Sequence, residues 1–223
     1  KRHGFEEKVF QINKAAAQIG REAAGEGGYV LGDIGPTGDF LEPLGTMKAD
    51  DLEGAFADQA RGLAEGGVDG FIIETMTALD EIATAVEAAK SFSDLPVFTS
   101  MAFDTAGDDF KTMMGVDVAG AVERLGSLGV DAIGFNCGTV ALEKYIELAE
   151  KFAAAVKDFG RDILILAEPN AGLPELVDGQ PVYKTGPEEF AETVKKIHQA
   201  GVSIIGGCCG TTPDHIAAVA KAI

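Results

Sequence analysis

Six short apolar runs, separated by longer amphipathic segments, constrain this chain more than any other feature. The runs span Tyr29 to Ile34, Gly70 to Glu74, Pro96 to Met101, Ala132 to Asn136, Ile163 to Glu168 and Ser203 to Gly207. Their length and their lack of polar alternation predict strands that are buried on both faces. The amphipathic segments predict helices at about Asp50 to Glu65, Ala78 to Phe92, Val116 to Leu128, Ala141 to Phe159 and Pro187 to Ala200, with a closing helix from Pro213. Strands alternating with helices imply a parallel sheet covered by helices, either a (β/α)-barrel or a doubly wound sheet. Three segments share one cadence, a helix end followed by Gly-Val and a strand start: Gly67-Val68, Gly129-Val130 and Gly201-Val202. That recurrence favours a (β/α)8 TIM-type barrel. A closed barrel needs about eight strands, and a helix at about Glu6 to Ala24 has no strand ahead of it. The expectation is a single barrel domain over residues 1–223, N-terminally incomplete, with its first two strands missing.

Composition narrows the function. With 223 residues and 46% hydrophobic content the chain can bury a large core. Its formal net charge of −18 excludes nucleic acid and anionic membrane as partners, since both select clustered Lys and Arg. No run reaches the roughly 18 apolar residues of a membrane span, and Lys1-Arg2-His3-Gly4 is no secretory signal. A reducing cytoplasm is the expected compartment, where thiols stay free.

The thiols are the chemistry-bearing residues. Cys137 stands in Gly134-Phe135-Asn136-Cys137-Gly138, and Cys208 and Cys209 stand in Gly206-Gly207-Cys208-Cys209-Gly210-Thr211-Thr212-Pro213. All three fall where an apolar run gives way to glycine. Thiolates suit zinc, and three protein ligands leave a fourth position for a substrate. Inert burial and a vicinal disulfide are the competing readings. If the fold is a barrel, chemistry belongs at the C-terminal strand ends: Asp33, Glu74, Asn136 with Cys137, Glu168 with Asn170, and Cys208 with Cys209. One strand separates those ending at Cys137 and Cys208, so their ends lie roughly 10 Å apart at about 4.8 Å per neighbour. Side chains reaching from both sides can meet a metal between them. Consecutive strand residues point to opposite faces, so Cys208 and Cys209 can share an ion only if the backbone has already turned; Gly206, Gly207 and Gly210 permit that.

Other features have plainer readings. Gly32 to Gly38 is a strand-to-helix loop with some capacity to cradle an anion. Gly206 to Thr212 has the setting of a barrel phosphate site, a use the paired cysteines argue against. His198 and His215 read as surface or packing residues, and His3 lies at a frayed end. Met113-Met114 belongs to a loop that packs or lines a donor's approach, and Asp104 to Asp109 reads as a solvated loop.

Taken with Gly32-Asp33-Ile34-Gly35-Pro36-Thr37-Gly38, Glu74-Thr75 and Glu168-Pro169-Asn170-Ala171-Gly172, the two cysteine motifs resemble the homocysteine S-methyltransferase family, most of all the homocysteine-binding domain found in cobalamin-dependent methionine synthase. The resemblance runs from about Lys1 to Ile223. It implies a (β/α)8 barrel, zinc held by Cys137, Cys208 and Cys209, and Glu74 and Asn170 holding the amino acid part of homocysteine; Asn136 joins them as a candidate substrate-binding residue by its strand-end position, and Asp33 is either a further pocket residue or a cap for its own loop. The family's first two strands have no counterpart here. The implied activity is zinc-dependent transfer of a methyl group to the thiol of homocysteine, giving methionine. Methylcobalamin, brought by another domain or a partner, is the implied donor; a sulfonium or betaine donor would need no such partner. A different thiol acceptor in a corrinoid system, or a zinc- or thiol-binding barrel without turnover, are the alternatives. The chemistry is coherent with the residue types, because zinc deprotonates a bound thiol outright and the thiolate is the nucleophile. Glu74 suits the substrate's ammonium and Asn170 its polar backbone groups.

Overall fold

The structure, a computed structural model, describes residues 4–223, so His3 and the two charged residues before it lie outside the described residues. The chain forms two compact units, one ending at Phe98 and one running Thr99–Ile223. Both alternate helices with parallel strands, which makes the protein α/β as its periodicity predicts.

In the first unit a 3-10 turn, Glu6–Lys8, leads into helix α1, Val9–Ala24. Strand β1, Leu31–Ile34, is followed by α2, Ala49–Gly66, strand β2, Gly70–Met76, and α3, Leu79–Phe92. β1 and β2 pair in parallel, from Leu31↔Gly70 to Ile34↔Ile73. Arg21 ties α1 to the rest of this unit: it donates to the Gly28 and Gly67 carbonyls and pairs with Asp69. The same Asp69 carboxylate accepts from the Val30 amide at 2.7 Å, and these bonds hold its pKa below the ordinary carboxylate value. Strand β3, Val97–Met101, starts beside β2 and continues across the unit boundary.

In the second unit the strand order is β3, then β6 (Ala132–Asn136), β7 (Leu164–Glu168) and β10 (Ile204–Ile205). β6 pairs with β7 in parallel from Ala132↔Leu164 to Asn136↔Glu168, and β10 pairs with β7 through Ile204↔Leu166. The crossovers are α4 (Val118–Ser127), α5 (Lys144–Phe159) and α6 (Pro187–Gln199), and α7 (Pro213–Ala222) closes the chain. Every residue of β6 is buried, as expected of a parallel strand covered on both faces. An aromatic cluster fills the space over it: Phe135 stacks on Tyr145, and Phe152 meets both Phe135 and Phe103.

Several boundaries move. α4 starts at Val118 rather than Val116 because Asp117 caps it, its Oδ1 accepting from Gly120 N at 2.8 Å. β10 is two residues long, not five, because the chain leaves the sheet at Gly206-Gly207. The stretch Asp104 to Asp109, expected to be a solvated loop, is a β-hairpin. β4 (Phe103–Ala106) and β5 (Asp109–Thr112) pair from Phe103↔Thr112 to Ala106↔Asp109. Phe103 and Phe110 anchor it in the core while residues 105–109 face solvent, so only the tip is solvated. A second hairpin follows β7: β8 (Glu175–Val177) and β9 (Gln180–Val182). Its turn is Asp178-Gly179, both at positive φ (51° and 78°), the geometry of a two-residue type I′ connection.

Candidate metal centre

Cys137 is the first residue beyond β6, where the sheet hands over to a turn. Its φ is +54°, a conformation that costs an L-residue roughly 1–2 kcal/mol. The next residue, Gly138, sits at φ +79°, and a Cβ there would lie 1.9 Å from the Phe103 carbonyl oxygen, so only glycine fits. The surroundings hold this turn from three sides. The buried Tyr145 hydroxyl donates to the Cys137 carbonyl. The Asn170 side-chain amide donates to the Gly138 carbonyl at 3.2 Å. Thr139 donates to Asp104 of the β4–β5 hairpin through its amide, at 2.8 Å, and through its hydroxyl.

The Cys208-Cys209 turn follows β10, on the far side of β7 from β6. Cys208 N donates to Pro169 O at 3.0 Å, and the Thr211 amide and hydroxyl return to Cys208 O at 3.2 and 2.7 Å. Cys209 N donates to Asn170 Oδ1 at 3.1 Å, and Ala171 N donates to Cys209 O at 2.9 Å. The backbone has therefore left strand geometry before Cys208, which is what allows two adjacent cysteines to face one point.

They do face one point. Sγ of Cys209 lies 3.9 Å from Sγ of Cys137 and 3.9 Å from Sγ of Cys208, and all three sulfurs fall within 4.8 Å of one another. A tetrahedral zinc with Zn–S bonds of about 2.3 Å places its sulfurs about 3.8 Å apart, so the trio fits that ion with little adjustment. The thiols are free, half-buried at Cys137 and Cys208 and exposed at Cys209. Their closeness splits their acidities. The hydrogen bond from Cys208 pushes the Cys137 thiol down to about 5, while that same bond and burial push Cys208 up. Three sulfurs this close cannot all ionise without a cation among them, because like charges disfavour one another. A bound metal would supply that cation.

The two asparagines expected in a substrate pocket are both buried beside the sulfurs. Asn136 accepts from Ser100 Oγ at 2.8 Å and donates to Cys208 Sγ at 3.7 Å. Asn170 bridges the two cysteine turns, donating to the Gly138 carbonyl and accepting from the Cys209 amide. Their side chains are thus engaged in holding the cysteine turns and the Cys208 sulfur. Glu168, which ends β7, is half-buried with its side chain against Gly206.

Glu74 and Asp33 belong to the first unit. Glu74 is half-buried near the end of β2, and Thr75 after it adopts φ +62°, an outlier for a β-branched residue. Asp33, on β1, has its carboxyl raised to about 6 by the protein around it and by the Glu74 charge. Its outer surface is exposed, so water relieves part of that penalty. The loop of Gly32 to Gly38 engages a protein carboxylate: the Thr37 amide and hydroxyl each donate to buried Glu81 at 2.8 Å.

His215 is a packing and capping residue. It completes a capping box with Thr212, meets Phe190 edge-on and contacts the Thr185 carbonyl through Nε2 at 3.0 Å. His198 bonds Val202 O through Nδ1. Met113 and Met114 follow β5 and are exposed. Sequence reasoning missed Tyr145, Ser100, the Asp104–Thr139 contact and Tyr183, whose ring packs against Gly210 beside Cys209. For Tyr183 a signal existed in the Asp178-Gly179 dipeptide, which marks the hairpin that carries it; Tyr145 is eight residues from Cys137 on another element and leaves no local trace.

The model of the family described as homocysteine S-methyltransferase matches residues 1–223. Two curated proteins named methionine synthase are 32% identical to the chain: that of Mycobacterium leprae (strain TN) over 231 residues and that of Mycobacterium tuberculosis (strain ATCC 25618 / H37Rv) over 229. Each match covers 97% of this chain but 18% of the relative, so the chain spans under a fifth of their length. Among solved structures, the homocysteine methyltransferase MmuM from Escherichia coli in its metallated form superposes with a TM-score of 0.73 at 20% identity, covering 97% of this chain and 72% of that one. That likeness establishes the fold, part of a (β/α)-barrel architecture.

Proposed function

The chain belongs to the homocysteine S-methyltransferase family, and on that premise we propose that it transfers a methyl group to the thiol of homocysteine, with zinc held by Cys137, Cys208 and Cys209. The observation that carries this reading is the convergence of three free sulfurs within 4.8 Å, at spacings that suit one tetrahedral ion. Bound zinc would supply a fourth position at which a substrate thiol is held as the thiolate, the nucleophilic form. The chain's own residues do the rest. Tyr145, Asn136 and Asn170 fix the backbone and sulfurs of the ligand set, so little reorganisation is needed when a ligand enters. In this reading Asn136 and Asn170 border the substrate by positioning the cysteines. Glu74 takes the ammonium of homocysteine through a charge-assisted hydrogen bond, and Asp33 lines the same pocket.

The methionine synthases that resemble this chain favour a corrinoid as the methyl source. We infer that methylcobalamin is presented by another domain or a partner protein, and that the protein works in the reducing cytoplasm, where three thiols remain available. Among the described residues no helix is long and apolar enough to cross a membrane. Among the described residues β1 and β10 each have one hydrogen-bonded neighbour, and we infer that each edge can take a further strand.

Zinc content and turnover test the reading together. Protein purified under reducing conditions should carry near one zinc per chain, the Cys209→Ala variant little, and only the zinc-loaded parent should form methionine from homocysteine and methylcobalamin. Methionine formation by a zinc-free variant, or a parent that retains no zinc, would overturn it.

A further inference from the structure

We propose that His215 is a positioning residue for the metal centre: its ring latches an outer clasp, residues 183–185, onto the two turns that follow Asn170 and Cys209, and so restrains the loss of metal. The inference deepens the zinc reading and rests on it for the metal-loaded form. The clasp is defined by what it sits on. Tyr183 and Thr185 are half-buried and Lys184 between them is exposed, the alternation of an extended segment laid on a surface. Each inward residue is seated on a glycine. A Cβ at Gly210 (φ +80°), next to Cys209, would lie 2.2 Å from Tyr183 Cγ, and one at Gly172 (φ +81°), two residues after Asn170, would lie 2.5 Å from Thr185 Oγ1. A side chain on either glycine would push the clasp away. The two turns are also tied to each other, Ala171 N donating to Cys209 O at 2.9 Å.

His215 closes the clasp from α7. A backbone amide can only donate, so the 3.2 Å contact from Thr212 N makes His215 Nδ1 the acceptor and leaves the proton of the neutral ring on Nε2. Nε2 then donates to the Thr185 carbonyl at 3.0 Å. The ring is buried and meets the buried Phe190 edge-on, with centroids 5.4 Å apart, which fixes its orientation. Its two nitrogens thus join Thr185 of the clasp to Thr212, and Thr211 beside it bonds Cys208 O through its amide and its hydroxyl. Capping α7 needs one of these nitrogens; the other reaches back 30 residues to the clasp. Outer hydrogen bonds of this kind orient a ligand set, and losing one weakens the hold on a metal without touching a ligand.

Two variants separate the latch from the helix cap. His215→Gln supplies the glutamine of an ordinary capping box with Thr212, its side chain folded back towards the helix start and away from Thr185; His215→Ala supplies neither bond. Metal-free His215→Gln should therefore melt close to the parent, and His215→Ala below both. In zinc-loaded protein, transfer of zinc to a chromophoric chelator should run on the order of fivefold faster in His215→Gln than in the parent, the scale of one neutral hydrogen bond, and at least as fast in His215→Ala. A residue that only caps α7 would speed release in His215→Ala alone. Hydrogen exchange on metal-free protein, read by mass spectrometry, supplies the arm that needs no zinc: His215→Gln should exchange faster than the parent over residues 183–185 and 208–212, with β6 unchanged. A parent that retains no zinc would overturn the zinc reading, and the exchange arm would then decide the latch alone. Parental zinc release in His215→Gln, or parental exchange over those two segments, would overturn the proposal.

Discussion

Removing one oxygen atom, in Tyr145→Phe, should loosen the candidate metal centre measurably. Tyr145 is 1% exposed, its ring stacks on Phe135 with centroids 5.8 Å apart, and its hydroxyl donates to the Cys137 carbonyl. Burial pushes the phenol's pKa up, so it remains a donor throughout the working pH range. Phenylalanine preserves the ring and its contacts, which isolates the hydrogen bond. Leaving a buried acceptor unpaired costs about 1–3 kcal/mol, and because Cys137 is only half-buried, water repays part of this, which places the loss near 1–2 kcal/mol. For a chain of this length each kcal/mol moves the Tm by about 2–4 °C, so the melting point should fall by about 2–8 °C. The same bond restrains Cys137 at φ +54°, a conformation roughly 1–2 kcal/mol above the relaxed backbone. Released from it, Cys137 should present its sulfur less often in the ligating position. Zinc affinity should drop by up to about tenfold, at 1.4 kcal/mol per decade. Thermal melts followed by circular dichroism, with and without zinc, and competition against a chromophoric chelator give both numbers. An unchanged Tm together with unchanged zinc affinity would refute the idea that this hydroxyl holds the cysteine turn.

Three further perturbations follow from the geometry. Gly138→Ala places a methyl group 1.9 Å from the Phe103 carbonyl at a φ of +79°, so the turn must move; the variant should lose more than about 2 kcal/mol, with overpacking added to the left-handed backbone cost, and should retain less zinc, while parental melting and zinc content would count against the tight fit. Asp33 has a folded pKa raised to about 6 from 3.8, so the native state binds its proton more tightly than the unfolded chain. Stability should therefore be highest below about pH 4 as far as this group is concerned, decline as pH rises from about 4 to about 6, and stay lowered above that; Asp33→Asn should flatten that decline in denaturant titrations, and an unchanged slope would mean water screens the group fully. Glu74→Gln should raise the homocysteine KM or lower kcat while leaving zinc content intact, and unaltered kinetics would remove Glu74 from the substrate pocket.

How much of this was written in the sequence varies from element to element. The six parallel strands were all legible, since a covered parallel strand reads as an unbroken apolar run, and Ala132–Asn136 is recovered to the residue. The cysteines were legible as candidates because each stands at such a run's end. The hairpin of Phe103–Ala106 and Asp109–Thr112 was not, because its tip is polar and exposed and only Phe103 and Phe110 reach the core. The hairpin beyond Leu173 carried a recognisable Asp178-Gly179 turn, but its strands are three residues long and alternate too briefly to register as strands.

The local alphabet, apolar run, amphipathic segment and glycine, thus determined the α/β class, the order of elements and the positions at which chemistry can occur. Only the tertiary structure decided what those positions do together. Cys137 and Cys209 lie 72 residues apart yet have sulfurs 3.9 Å from one another, because β7 alone separates their strands and both backbones turn out of the sheet at glycines. Asn136 and Asn170 looked like residues for a ligand, and in the fold their amides hold the sulfurs, the sulfur-bearing turns or both. The physical reason is that a side chain's role is set by which donors and acceptors surround it, and those come from Ser100, Gly138, Cys208 and Cys209 on other elements. Spacing along the chain carries no record of such partners, whereas burial periodicity is imposed residue by residue and can be read directly.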